Sequence, residues 1–287
     1  MNTILACVDS QGSPMAVCDG AAWVASVLRA PLTFLHVLDR HPEKAQQLDF
    51  SGQIGLGAQE DLLQELSQLD ERRSVLAQEQ GRQLLEGARV RALAATQGAL
   101  TVDVRQRHGE LVDTLMDLEA GTRLIVLGTH EYKAWTAKRH LDHHVERVIR
   151  TVKRPVLVVP QATFVAPGSF AVAYDGSATA SKMVEALASS PLLKGLSCHL
   201  VHVGADSAGM RNEVSRAGQV LSQAGWTVQT AIESGEVEES LSRYVATHQL
   251  QLVVMGAYGH SRIRNLIVGS TTTTMLRYSP VPVLVWR

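Results

Sequence analysis

Three glycines and a run of five hydroxyl residues crowd into one stretch, GAYGHSRIRNLIVGSTTTT, from Gly256 to Thr274. Glycine at a strand end lets the main chain take a positive φ or approach a ligand without a Cβ in the way. A helix start offers N–H groups with no partner inside the helix and a partial positive charge, both suited to phosphate oxygens. Hydroxyls in that first turn cap the backbone or donate to the same oxygens. The spacing G-x-x-G-x9-G-[ST] therefore reads as an anion cradle in two parts joined by a loop. Gly256 and Gly259 form one part; Gly269, Ser270, Thr271 and Thr272 form the other. QLQLVVM, which precedes the stretch, reads as a buried strand, and STTTTMLRYS reads as the helix that follows.

The elements that hold this cradle are written twice. ILACVDS (4–10) returns as AVAYDGS (171–177), and LTFLHV (32–37) returns as CHLVHV (198–203), a His-Val pair closing both. RHGELVDTL answers ESGEVEESL, RLIVLG answers QLVVMG, and RPVLVVP answers VPVLVWR. Five matches in one order imply two copies of one unit, with QATFVAPGS (161–169) as linker. The units are expected at 1–160 and 161–287. Each alternates short Val/Ile/Leu runs, continuous enough for strands covered on both faces, with helical stretches. In SPMAVCDGAAWVASVL, Val17, Ala21, Val24 and Leu28 recur at helical spacing, with Ser13 placed to cap and Pro14 in the first turn. The pattern predicts two tandem α/β domains, each a doubly wound parallel sheet of five strands (Rossmann-like). Ligands of such sheets bind beyond the carboxyl ends of the strands, where strand order reverses.

The units differ in one place. His36 and Gly109 are 73 positions apart and their counterparts His202 and Gly235 only 33, so unit one carries about 40 extra residues. Residues 58–88 place Leu62, Leu66, Leu69, Leu76 and Leu84 near one helical stripe among charges. That predicts an amphipathic helix or helical pair between about 40 and 90, lengthening a helix over its own sheet rather than forming a partner-binding arm.

Composition bounds the function. With 45% apolar and 19% charged residues the chain can bury a real core. A net charge of −1 argues against an electrostatic nucleic-acid binder. No apolar run reaches membrane-span length, and the three cysteines lack CxxC spacing and suit reduced thiols. No signal peptide is visible in MNTILACVDSQ. A cytoplasmic protein bound to neither nucleic acid nor membrane is expected. No GK[ST], G-x-G-x-x-G after a first strand, G-x-S-x-G, HExxH, HIGH or SGGxDS occurs, so no catalytic residue is assigned.

The glycine spacing in its strand–loop–helix setting resembles the nucleotide-binding signature of the universal stress protein family. A first strand ending in Asp, a second ending in LHV or VHV, a GE ahead of the third helix and a closing PVLV extend the likeness to both units. The resemblance implies a tandem member, adenine nucleotide alpha hydrolase-like in fold. It also implies ATP as ligand, alone or with Mg2+, in a stress-response signalling or regulatory role. Carried onto unit two, it places Ala173, Tyr174 and Asp175 at the adenosine, Val203 at the adenine edge through its main chain, and Met255 and Gly256 along the ribose. Gly259, Gly269, Ser270, Thr271 and Thr272 would hold the phosphates. His260, Arg262 and Arg264 could add positive charge or simply be surface residues, and Asp175 reads also as a turn cap. In the family the last strands pair across a dimer interface, so the two units are expected to pair with each other; a homodimer and protein partners stay open. A slow ATPase or nucleotide transferase, or a scaffold acting through the inserted helix, are the competing readings.

Unit one departs from the pattern. In GTHEYKAWTAKRHLDHHVERV, Gly128 survives, Glu131 replaces the second glycine, and Leu141–Asp142 or Asp142–His143 replace the third glycine and its serine. Carboxylates facing a triphosphate are unfavourable, so unit one is not expected to bind ATP in the family's manner, although Asp9 and Val37 keep an adenine end. The Asp that usually precedes the fourth strand is absent from both halves, which have Arg123 and Gln251. His140, His143 and His144, near His130, Glu131 and Asp142, raise a metal site, but a solvated or phosphate-facing helix face is the preferred reading and no metal ligand is assigned.

Overall fold

Runs of β-branched residues become strands and the stretches between them helices, in regular alternation. The structure, a computed structural model, describes residues 2–10, 12–38, 56–129, 143–160, 163–257 and 270–287. Unit one runs β1 (Thr3–Cys7), α1 (Pro14–Leu28), β2 (Leu32–Leu38), α2 (Leu56–Ala95), β3 (Val102–His108), α3 (Leu111–Leu118), β4 (Thr122–Gly128), α4 (His143–Thr151) and β5 (Val156–Val159). Unit two repeats the order with β6 (Ser169–Ala173), α5 (Ala178–Ser189), β7 (Ser197–Val203), α6 (Ala208–Gln223), β8 (Thr227–Glu233), α7 (Val237–Thr247), β9 (Val253–Gly256), α8 (Ser270–Tyr278) and β10 (Val283–Trp286).

Among the described residues all ten strands form one sheet, in the order β3-β2-β1-β4-β5-β10-β9-β6-β7-β8. Within each unit neighbours run parallel, and β1 and β6 sit where the strand order reverses. The two halves meet at β5 and β10, where Val156–Val158 run antiparallel to Val283–Val285. The PVLV strands are therefore edges only of their own units; joined, they make the centre of the whole sheet. Alternation along each strand feeds two cores. Ile4, Ala6, Phe34, Val126 and Val172 belong to one, and Leu5, Leu35, Ile125, Ala171 and Val253 to the other. Each core runs through both units. In the linker, Phe164 packs on Trp23 of α1, ring centroids 5.7 Å apart. Cys7, Cys18 and Cys198 are free, and burial pushes the Cys18 and Cys198 thiols up to about 12. No helix among the described residues is long and apolar enough to cross a membrane.

Among its described residues the inserted segment forms one helix. At 40 residues, α2 is about 60 Å long, whereas a seven-residue strand covers about 23 Å. Its C-terminal part lies over the sheet, burying Leu85, Ala88 and Ala92. The part before it runs past the strand ends, and there Leu66 and Leu76 are 46% and 62% exposed. Only part of the leucine stripe is thus a sheet-covering face, because the helix is longer than the sheet it covers. Gly81 sets how closely α2 approaches: a Cβ there would stand 2.5 Å from His36 Cδ2 and 2.3 Å from Gln106 Nε2. The Gln106 end can swing away, but His36 is held by its own hydrogen bond to Val8 O.

On the other face, under α7, His199 Nδ1 lies 3.0 Å from the Tyr244 hydroxyl, and the His248 ring stands 5.2 Å from that of His199. Burial, then the nearby His248, holds His199 below its ordinary value of 6.5.

Gly81→Leu should lower the unfolding free energy in urea by about 1–3 kcal/mol, because α2 must lift from His36. Gly87→Ala, at a helix position where a Cβ meets nothing within 4 Å, should raise it by about 0.5–1 kcal/mol. Equal effects at both sites would deny the close approach. Because the folded state favours neutral His199, its contribution is complete above the ordinary histidine range and is lost as pH falls below about 6.5, where the unfolded chain takes up the proton first. Urea midpoints at pH 7.5 and 5.5 check this, with His199→Gln expected to reduce the difference.

Candidate functional site

Parallel strands that stop at different places leave main-chain groups pointing into the gap between them. Along such a strand alternate residues turn both N–H and C=O to the same side. In unit two Tyr174 N donates to Val201 O at 2.9 Å, which fixes the side facing β6, and Gly204 N donates to Glu233 O on the other side. Val203 therefore turns its N–H and C=O towards the crevice beyond the end of β6. A donor and an acceptor side by side there suit a heterocycle edge. Val37 holds the same position in unit one, since Val8 N donates to Leu35 O and Gly109 N to Leu38 O.

The histidines of the repeated His-Val pairs keep both crevices open at a fixed width. His202 Nδ1 lies 2.9 Å from Tyr174 O and His36 Nδ1 lies 2.8 Å from Val8 O. Each ring holds the residue that follows the first strand, and His202 is buried. Sequence reasoning assigned these histidines no role, although their repetition was visible. The glycines of the GE turns, Gly109 and Gly235, take φ of 137° and 114°, which explains why both copies keep glycine there.

Six of the residues expected to meet a nucleotide lie along this edge. Ala173, Asp175, Val203 and Gly256 are half-buried at strand ends or just beyond. Tyr174 and Met255 are buried, and the Tyr174 hydroxyl is 3.1 Å from Ser181 Oγ, so that side chain faces α5. Asp175 Oδ1 accepts from Ser177 N at 2.9 Å, and Ser177 Oγ accepts from Ala180 N as the cap of α5. One carboxylate oxygen of Asp175 thus shapes the turn.

A part-buried hydrogen bond joins the second part of the cradle to the first. Thr272, 3% exposed, donates its Oγ1 proton to Gly256 O at 3.1 Å. This bond sets the first turn of α8 against the end of β9, so the helix's free N–H groups open beside Gly256. Thr272 acts here by position, its hydroxyl turned inward. Gly259, His260, Arg262, Arg264 and Gly269 lie outside the described residues, as do the side chains of Ser270 and Thr271.

Unit one presents a cavity of about 340 Å³ at the matching edge, bounded by Asp9, Val37, Glu110 and His144 and walled by Gly81 and Leu84 of α2. Its Gly128 has a packing reason: a Cβ would stand 2.9 Å from Val17 Cγ2. Glu131, Asp142, His130 and His140, on which the contrast between the units and the histidine cluster turn, lie outside the described residues, as does the His143 side chain. No group of three or more His, Cys, Asp or Glu able to hold a metal occurs among the described residues.

Comparison with known proteins agrees with the repeat. The sequence model of the Universal stress protein family matches twice, at residues 1–160 and 169–287. The chain is 36% identical over 291 residues to "Universal stress protein Slr1230" of Synechocystis sp. (strain ATCC 27184 / PCC 6803 / Kazusa), covering 100% of both. In fold it is similar to a universal stress protein from Archaeoglobus fulgidus DSM 4304, with a TM-score of 0.73, 20% identity and coverage of 100% of this chain and 98% of that one. It is also similar to the functionally unknown protein PA1789 from Pseudomonas aeruginosa PAO1, with a TM-score of 0.62, 17% identity and coverage of 100% and 92%. Two matched copies and a relative alike from end to end show that the chain belongs to the universal stress protein family.

Proposed function

We propose that the C-terminal unit binds ATP, alone or with Mg2+, and that the bound nucleotide serves as a regulatory ligand in a stress-response signalling module. The observation that carries this reading is the Thr272–Gly256 hydrogen bond. It sets a helix N-terminus, able to receive phosphate oxygens, beside the strand end of the crevice onto which Val203 turns its main chain. The base would sit against Val203, the sugar near Asp175 and Gly256, and the triphosphate at the start of α8 and at Gly259 and Gly269. His260 would add charge there. Ala173, Tyr174 and Met255 would form the crevice floor.

Binding fits this edge better than turnover. Asp175 is tied by one oxygen into the turn before α5, and nothing on the described edge pairs a base with a nucleophile. The nucleotide would act by population shift, favouring the conformation in which the two parts of the cradle close on phosphate. Unit one, with its own cavity and a different sequence after β4, would not take the triphosphate. The protein would be cytoplasmic, its units at 1–160 and 161–287.

Thr272→Val keeps the side-chain volume, removes the hydroxyl and leaves the Gly256 carbonyl without that donor. It should weaken ATP binding by roughly tenfold, in keeping with about 1–3 kcal/mol for an unsatisfied buried acceptor. Calorimetric titration of both proteins reads this directly. Unchanged affinity would remove Thr272 from the cradle; absence of ATP binding by the parent protein would overturn the reading itself. Saturating ATP should also raise the melting temperature of the parent, by several degrees at a hundredfold excess over Kd. Steady phosphate release lost in Asp175→Asn would instead favour the ATPase.

A further inference from the structure

The two edges are joined by a continuous set of contacts, of which the Arg287 hydrogen bonds cross from one unit to the other. β10 carries it across the sheet. Trp286 pairs with Gly256 in the β9 register, and Ala257 N donates to Trp286 O at 2.9 Å, so the main chain entering the cradle is pinned to the end of β10. The next residue, Arg287, reaches into unit one. Its Nη1 donates to Arg150 O at 2.8 Å and to Val152 O at 2.7 Å, carbonyls at the C-terminal end of α4. A guanidinium at a helix C-terminus donates to the last carbonyls and complements the negative end of the helix dipole.

The other end of α4 is the wall of the unit-one cavity. His144, in its first turn, lines the cavity, and Arg147 Nη1 lies 3.3 Å from Oε2 of Glu110, which also lines it. α4 has nine residues, about 13 Å of rigid element, with unit two's last residues at one end and unit one's cavity at the other. Val145, Val148 and Ile149 bury its inner face in the core that both units share. A helix packed in that way moves as a body.

We infer that α4 couples the two sites: a ligand that fixes Gly256 and Ala257 steadies β10, Arg287 and α4, and so alters the unit-one cavity at His144 and Glu110. The ligand half of this statement rests on the proposed ATP site; the mechanical half does not. By reciprocity, whatever fills the unit-one cavity changes the affinity at the cradle by the same factor.

Hydrogen exchange of the full chain, read by mass spectrometry, tests it. The Val152 amide, which donates to Val148 O at 2.9 Å, reports on the end of α4. ATP should slow exchange at 255–257 and 270–278 and, in addition, at 148–152 and 109–111. Arg287→Ala should speed exchange at 148–152 about fivefold, as expected for about 1 kcal/mol of lost hydrogen bonding. It should leave ATP affinity within about twofold and abolish the distant slowing. Slowing confined to unit two, or distant slowing that survives Arg287→Ala, overturns the coupling. Should ATP leave 255–257 unaffected, the binding reading fails, and Thr272→Val still tests the link without ligand. Loosening Gly256 must speed exchange at 148–152 in the parent and add nothing in the Arg287→Ala background. An unchanged 148–152, or equal effects in both backgrounds, counts against α4.

Discussion

A parallel strand directs its main-chain groups sideways in pairs, and wherever its neighbour stops short those groups face an empty crevice. Everything functional in this chain depends on that constraint. Val203 and Val37 each extend past the strand beside them. The His202 and His36 rings fix the residue after the shorter strand to the longer one. The site is therefore part of the sheet's own geometry, and substitutions at its rim change what fills it more readily than whether it exists.

Duplication then lets one crevice specialise. In unit two the crevice is completed by α8, tied to β9 through Thr272. In unit one it is walled by α2, seated on His36 by the missing side chain of Gly81. The antiparallel meeting of β5 and β10 merges the two sheets into one that carries both crevices. Arg287 and α4 lie between the two crevices.

Much of this was legible in the sequence because the repeat supplied each element twice. LHV and VHV, GE, VLG and VMG, and the two PVLV runs located strands, turns and the junction of the halves. What stayed hidden depends on three-dimensional distance. The leucine stripe of α2 has one period throughout, yet Leu84 is half-buried against the core while Leu76 is exposed, because strand length and not helix pattern decides where the cover ends. Thr272 and its neighbours are chemically alike in STTTTM; only the approach of β9 selects one hydroxyl for Gly256 O. Gly128 and Gly256 align as equals, but Gly128 is kept open for Val17. The repeated histidines were plainly visible, and their acceptors, main-chain carbonyls 28 residues away, were not.

The central claim is one of number as well as place: one chain, one triphosphate, held at the cradle of its second half. Native mass spectrometry of the intact protein equilibrated with ATP counts this without assuming where the ligand sits. The account requires a single mass increment of one nucleotide per chain. Two increments of equal affinity would show that unit one grips phosphate as well, and none would show that the α8 cradle does not hold ATP.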